Sequence, residues 1–324
     1  MTKAKIALCG LALVGAGMMA GAQVTGTGAL EIGEEILFDS GDLTLSGSLL
    51  LPETAGPHPA VVMLEGSGGY SFRRHWAEDA TLPLWRLISD AMVERGFAVL
   101  LFDKRGVNRS EGSWRTSTFE DRADDAVAAS AYLRDREEID GTTIGVMGHS
   151  QGGWIAQLVA ARSPEDVAFV VTLAGPTTTV KEQILDDRES EWRCEGLAES
   201  RIARKRGWTR FLLDVNELLS RIVPLGYIGR IVDYDPAETL RRITQPMLAI
   251  FGGTDRLVWA EKNVELLKAA FEESGNTQLI IHTIPGAGHG LQPYEPCSAG
   301  GASDFAPGFL DALLDPSFYE CLGI

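Results

Sequence analysis

The chain has 324 residues, enough for a large core, and its 45% hydrophobic and 23% charged content is that of an ordinary globular protein. A formal net charge of −16 argues against nucleic acid or an anionic membrane surface as the main partner. It leaves an uncharged substrate open.

The N-terminus reads as a targeting segment. Lys3 and Lys5 precede an apolar, Gly/Ala-rich run from Ile6 to Met19, and Ala20-Gly21-Ala22 then supplies a small-x-small cleavage pattern. Residues 1–22 are expected to be a signal peptide, and the remainder to be periplasmic or secreted, with no stable membrane anchor after cleavage. No other segment offers the roughly 18 consecutive apolar residues that a spanning helix needs.

Strands and helices then alternate. Glu35 to Phe38 and Leu43 to Leu51 form an opening antiparallel pair about Ser40-Gly41-Asp42. A buried strand over Pro59 to Leu64, a helix over Pro83 to Glu94 ended by Gly96, and a strand over Phe97 to Phe102 follow. The segment from Phe119 to Arg134 has helical spacing of its apolar residues. Thr143 to Met147 is a short buried strand, and Trp154 to Ala161 has helical character. Val167 to Leu173 and Pro246 to Phe251 read as strands. A helix over Ala260 to Glu272, a strand over Gln278 to Ile284 and a last helix from about Ser303 to Leu314 complete the pattern. Such alternation implies a mostly parallel sheet flanked by helices. Residues 177–240 interrupt it with several charged helices and no strand, which marks a helical cap inserted into a core of residues 23–176 and 241–324.

Four cysteines occur, of which Cys194, Cys297 and Cys321 lie beyond the cleavage site. An odd number leaves one thiol over. Cys297 and Cys321 bracket the last helix and are the favoured pair, with the connectivity open. No clustered Cys/His pattern points to a metal, and no cofactor is expected. Oligomeric state leaves no trace in the sequence.

Gly148-His149-Ser150-Gln151-Gly152-Gly153 contains G-x-S-x-G between a strand and a helix. A serine on so sharp a turn needs glycines at −2 and +2, where side chains would collide with the neighbouring strand and helix. Four other motifs accompany it: a Gly-Ser-Gly-Gly loop followed by basic residues (Gly66 to Arg74), Asp-Lys-Arg-Gly ending in a serine (Asp103 to Ser110), Gly-Gly-Thr-Asp (Gly252 to Asp255), and the glycine-rich Pro285 to Gly290. As a set, spanning about residues 35–315, these resemble the α/β-hydrolase superfamily. The resemblance is to its bacterial serine esterases related to the prolyl-oligopeptidase and dienelactone hydrolase branches. It implies an α/β-hydrolase fold with a cap, a triad of Ser150, Asp255 and His289, and carboxylic-ester hydrolysis through an acyl-enzyme. Two departures stand out. Glu65-Gly66 replaces a common His-Gly, and serine replaces the cysteine typical of dienelactone hydrolases.

The residues give the same triad by elimination. The order in this fold is serine, acid, histidine. His58 lies in a proline-flanked surface loop, His75 precedes the serine, His149 adjoins it and is expected to point away, and His282 sits inside a strand. His289 remains, in a glycine-rich loop after a strand. Asp255, just past a strand end, is preferred over Asp103, Asp233 and Asp235. Asp103 sits in Asp103-Lys104-Arg105-Gly106, a segment expected to brace a loop through ion pairs. The oxyanion needs two backbone N–H groups. Gln151 should supply one, and Ser67, with Gly68 second, the other. Gly68, His149 and Trp192 are the candidate substrate contacts. Trp192, Trp208, Phe211 and Leu212 of the cap either line an acyl pocket or pack.

The leading reading is an exported esterase acting on a small-molecule ester of small to medium acyl chain. A peptidase or amidase of the serine aminopeptidase or prolyl-oligopeptidase type is the alternative, with Glu65 available to hold a substrate amino group. A non-catalytic binding paralogue comes third. A lipase fits less well, since Asp186 to Glu191 is charged where a lid would carry an apolar face.

Overall fold

The computed structural model describes residues 32–76, 83–223, 226–298 and 302–324, with the side chain of His75 left out. The expected signal peptide lies outside the described residues. Glu31–Ile324 form one compact unit.

Strands β1 (Glu34–Ser40) and β2 (Leu43–Leu50) pair antiparallel across Gly41, whose φ of 59° supplies the left-handed turn. Then follow β3 (His58–Leu64), α1 (Leu84–Glu94), β4 (Ala98–Phe102), α2 (Phe119–Arg134), β5 (Ile139–His149), α3 (Gln151–Arg162) and β6 (Phe169–Leu173). The inserted segment holds α4 (Val180–Cys194), α5 (Glu199–Ser220), α6 (Ile228–Ile231) and α7 (Ala237–Arg241). The chain returns through β7 (Met247–Gly252), α8 (Ala260–Ser274), β8 (Leu279–Ile284), α9 (Phe309–Leu313) and α10 (Pro316–Glu320). The eight strands form one sheet in the order β1-β2-β4-β3-β5-β6-β7-β8. Only β2 runs against its neighbours, so the sheet from β4 to β8 is parallel.

Both faces of this sheet are covered, so its central strands are apolar throughout. Val62, Leu100, Val146, Val170 and Ala249 face one core shared with α2, α3 and α8. Their sequence neighbours Val61, Leu101, Met147, Val171 and Ile250 face the other, shared with α1, α9 and α10. Helix α2 begins at a reciprocal cap, Thr118 accepting from Asp121 N and Asp121 from Thr118 N.

Three expectations are corrected. His58 is buried at the start of β3, its N–H bonded to Glu138 O, because β3 begins a residue or two earlier than its apolar run. The last helix is not continuous from 303 to 314. It is the short α9, capped by Gly308 at φ 84°, and a separate α10 that opens on Pro316. The disulfide joins Cys194 to Cys297, not Cys297 to Cys321. Cys194 ends α4 and meets the loop after β8 across a Cα separation of 5.1 Å, while Cys321 is a free, exposed thiol. Chain proximity favoured the local pair, but the fold brings the cap over the β8 loop.

Gly152 marks a tight approach of helix to sheet, for a Cβ there would lie 2.0 Å from Leu64 O on β3. Gly152→Ala should therefore lower stability by about 1–3 kcal/mol, as overpacking does. An unchanged denaturation midpoint would show that the contact is slack.

Candidate active site

β5 ends at His149 and α3 begins at Gln151, so Ser150 alone makes the turn, at φ 54° and ψ −124°. That conformation is strained for an L-residue. It is held by Ser150 N donating to Leu173 O at 2.9 Å and by two glycines with no room for side chains. A Cβ on Gly148 would meet Gly152 O at 2.0 Å, and one on Gly153 would meet Gly175 Cα at 2.5 Å.

Ser150 Oγ lies 2.9 Å from His289 Nε2, and His289 Nδ1 lies 2.8 Å from Asp255 Oδ2. The other Asp255 oxygen accepts from Leu257 N at 2.8 Å and Val258 N at 3.1 Å, which fixes the carboxylate. With Nδ1–H donating to Asp255, Nε2 is free to accept from the serine hydroxyl. The acid and histidine loops are tied together: Thr254 Oγ1 is shared between Ala287 O at 3.0 Å and Tyr294 O at 2.9 Å. Burial disfavours the His289 imidazolium, but the charges of Asp255 and Asp187 outweigh it and raise the His289 pKa above its ordinary value.

Asp187 was not anticipated. On α4 it sits between Gln183, which donates to Leu257 O, and Ser190, which accepts from Trp259 Nε1 at 2.9 Å. This helix face therefore lies over the Asp255 loop, and Asp187 acts on His289 from there.

Of the expected oxyanion residues, Gln151 directly follows Ser150 and opens α3. The loop after β3 makes its close approach at Gly66, where a Cβ would stand 3.3 Å from Ser150 Cβ. Ser67 follows as an exposed residue, and Gly68 has φ 92°. One buried guanidinium joins the two sides. Arg122 Nη1 donates to Gln151 Oε1 at 2.7 Å and Nη2 to Glu65 O at 2.6 Å. Lys104 Nζ donates to Gly66 O at 2.9 Å, and Tyr227 of the cap donates to the same Gln151 oxygen at 2.8 Å. Sequence reasoning missed Arg122, Lys104 and Tyr227. One signal was present for Arg122: it sits three residues after Phe119 and four before Ala126, on the stripe of α2 that faces the core.

Other anticipated residues fall elsewhere. His149 does not turn away from the site, for its Nε2–H donates to His289 O at 2.9 Å and the two rings lie 5.0 Å apart. Trp192 is buried within the cap, beneath Lys205 Nζ at 4.7 Å. Trp208, Phe211 and Leu212 lie exposed on the surface, Trp208 and Phe211 stacked on each other, and are not packed into the core. Glu65 is buried 3.6 Å from Lys104 Nζ, and that desolvation raises its carboxyl while lowering the Lys104 ammonium. The segment Asp103 to Gly106 braces its surroundings through ion pairs as expected, Arg105 to Asp121 and to Asp125, both at 2.8 Å, while Asp103 itself accepts from Phe72 N at 3.3 Å and Asn108 Nδ2 at 2.9 Å. Among the described residues no group of His, Cys, Asp and Glu is arranged to hold a metal, and no helix is long and apolar enough to cross a membrane.

Sheet order, elbow and the Ser-His-Asp geometry define an α/β-hydrolase. Residues 127–306 match the family described as BAAT / Acyl-CoA thioester hydrolase C terminal, and the chain belongs to that family. Residues 41–199 also match the X-Pro dipeptidyl-peptidase (S15) family. Esterase EstD of Thermotoga maritima is 27% identical over 260 residues, covering 75% of this chain but only 58% of EstD. Among solved structures, Est1E from Butyrivibrio proteoclasticus with bound ferulic acid aligns over 89% of this chain and 98% of its own at TM-score 0.56 and 16% identity. A dienelactone hydrolase from Anabaena variabilis aligns over 89% and 96% at TM-score 0.51 and 19% identity. At such identities the structural likenesses speak to the fold alone.

Arg122→Ala should lower turnover of an acyl substrate about tenfold to a hundredfold while leaving KM within about twofold. That is less than the roughly hundredfold to thousandfold loss from deleting an oxyanion donor outright. Steady-state kinetics of the folded variant check it, and a loss confined to KM would contradict the clamp.

Proposed function

We propose that this protein is an exported serine hydrolase that cleaves carboxylic esters of small to medium acyl chain. The observation that carries the reading is the hydrogen-bonded line from Ser150 Oγ through His289 to Asp255, with spacings of 2.9 and 2.8 Å, at the tip of a strained elbow. Ser150 attacks the ester carbonyl as His289 Nε2 takes its proton. The backbone N–H groups of Gln151 and Ser67 stabilise the oxyanion. His289 then protonates the leaving alcohol, and water, activated by the same imidazole, releases the acid. Asp255 orients the ring and stabilises its charged form. This chemistry calls on no metal or cofactor.

Export is supported by the charged, apolar and small-residue parts of segment 1–22 and by the Cys194–Cys297 disulfide, a bond that persists in oxidising compartments. The charged inner surface of the cap, with Asp187 beside the triad, supports short over long acyl chains. The peptidase alternative loses its amino-group anchor, because Glu65 is spent on Lys104 in the interior.

Purified protein should hydrolyse p-nitrophenyl acetate and butyrate far faster than palmitate. Ser150→Ala should abolish this, a loss of about a millionfold in kcat by the precedent of serine-hydrolase triads. Activity that survives the substitution would remove Ser150 from the mechanism. Cleavage of aminoacyl p-nitroanilides without ester cleavage would favour the peptidase.

The pH dependence has a definite sign. His289 works as a base only when neutral, and its pKa is raised, so activity should fall as pH drops through a value above the ordinary histidine range. Asp187→Asn removes a negative charge that favours the imidazolium, so the acidic limb of kcat/KM should move to lower pH. A limb that stays in place or moves up would show that Asp187 does not act on His289.

A further inference from the structure

Helix α5 is amphipathic in the reverse sense. Much of its charge faces α4: Arg206 bonds Glu182 at 2.8 Å and Glu189 at 2.7 Å on α4, and Lys181 of α4 bonds Asp214 and Glu217, both at 2.6 Å. Its outward side carries Trp208, Phe211, Leu212, Leu218 and Leu219, and Ile222 just beyond its end, positions that share one face of the helix. Trp208 is 62% exposed and stacked on Phe211 at 5.4 Å, and Ile222 is 81% exposed. A face this apolar and this exposed is unusual on a soluble surface and marks a site of interaction. The same outward stripe continues toward the N-terminus of α5 as Arg201, Arg204 and Lys205. Arg201 and Arg204 are exposed and form no ion pair among the described residues, and Lys205 lies over the Trp192 ring.

We propose that the outward face of α5 docks on an anionic lipid surface, lying in the plane of the interface. Basic residues with Trp, Phe and Leu on one helix face suit headgroups and acyl boundary together. The net charge of −16 does not oppose this locally, because charges beyond about 10 Å are largely screened at physiological salt. It disfavours docking through faces that lack a cluster of cations beside exposed apolar side chains. A second copy fits less well. Antiparallel pairing of two α5 helices would press Arg201 and Arg204 of one against Leu218 and Ile222 of the other, desolvating cations against apolar side chains. The inference goes beyond the catalytic reading and does not depend on it: the docked cap would sit where esters partition, but binding is measured without turnover.

The test is flotation of the chain from Gln23 onward with extruded vesicles of pure phosphatidylglycerol or pure phosphatidylcholine. That form contains the whole compact unit Glu31–Ile324. The expected result is binding to phosphatidylglycerol that weakens with added salt and falls at least tenfold in L218S/I222S. R201E/R204E should lose the preference for the anionic vesicle. These side chains are exposed, so the variants should keep the wild-type melting temperature, which is checked alongside. Absence of vesicle binding, or binding that both variants leave unchanged, overturns the proposal. So does a dimer by light scattering that L218S/I222S returns to monomer, which would give the face to a second copy.

Discussion

Ser150 stands clear of the sheet only in a backbone conformation that costs about 1–3 kcal/mol, and the surrounding packing must hold it there. Gly148, Gly152 and Gly153 let strand, helix and the chain after β6 close to distances at which any side chain would collide. That closeness sets the rest of the site. It puts Ser150 Oγ at the height of the loop after β8, and it brings Gly66 of the loop after β3 against the nucleophile.

The second element is a buried cation. Arg122 sits in the interior, where an unpaired charge would be costly, and its two acceptors, Gln151 Oε1 and Glu65 O, are within reach only because β3, α2 and α3 meet there. Its two bonds run to the two sides of the proposed oxyanion site, so the electrostatics that make its burial tolerable also hold the loop after β3 against the start of α3. Tyr227 extends the network into the cap by donating to the same Gln151 oxygen, and its ring lies 5.6 Å from that of Trp114, which packs on Gly69. Cap and oxyanion loop thus share partners. The disulfide adds a covalent tie from the cap to the loop that carries His289.

The cap shows how charge and apolarity can exchange their usual places. Between α4 and α5 a lattice of ion pairs, Arg206 and Arg210 with Glu182, Asp186 and Glu189, accompanies a small apolar contact of Leu185 with Leu213, while Trp208, Phe211, Leu212, Leu218 and Leu219 of α5 look outward. The acidic run Asp186 to Glu191 therefore speaks for α4 alone and says nothing of the surface the cap presents.

The chain by itself pointed to the sheet, the elbow and the three residues Ser150, Asp255 and His289 that the fold brings into one hydrogen-bonded line. Each depends on a local requirement that leaves a residue-type mark: apolar runs where a strand is covered on both faces, glycine where no Cβ fits, a fixed order of loops along the chain. Only the tertiary structure decided that Cys194 meets Cys297, that Glu65 is buried against Lys104, that Arg122 ties Gln151 to the backbone of Glu65, and that α5 turns an apolar stripe to solvent. Those depend on which surfaces meet across separations such as the 103 residues between the bonded cysteines. Such meetings are set by the packing of the whole chain, and no local pattern of residues records them.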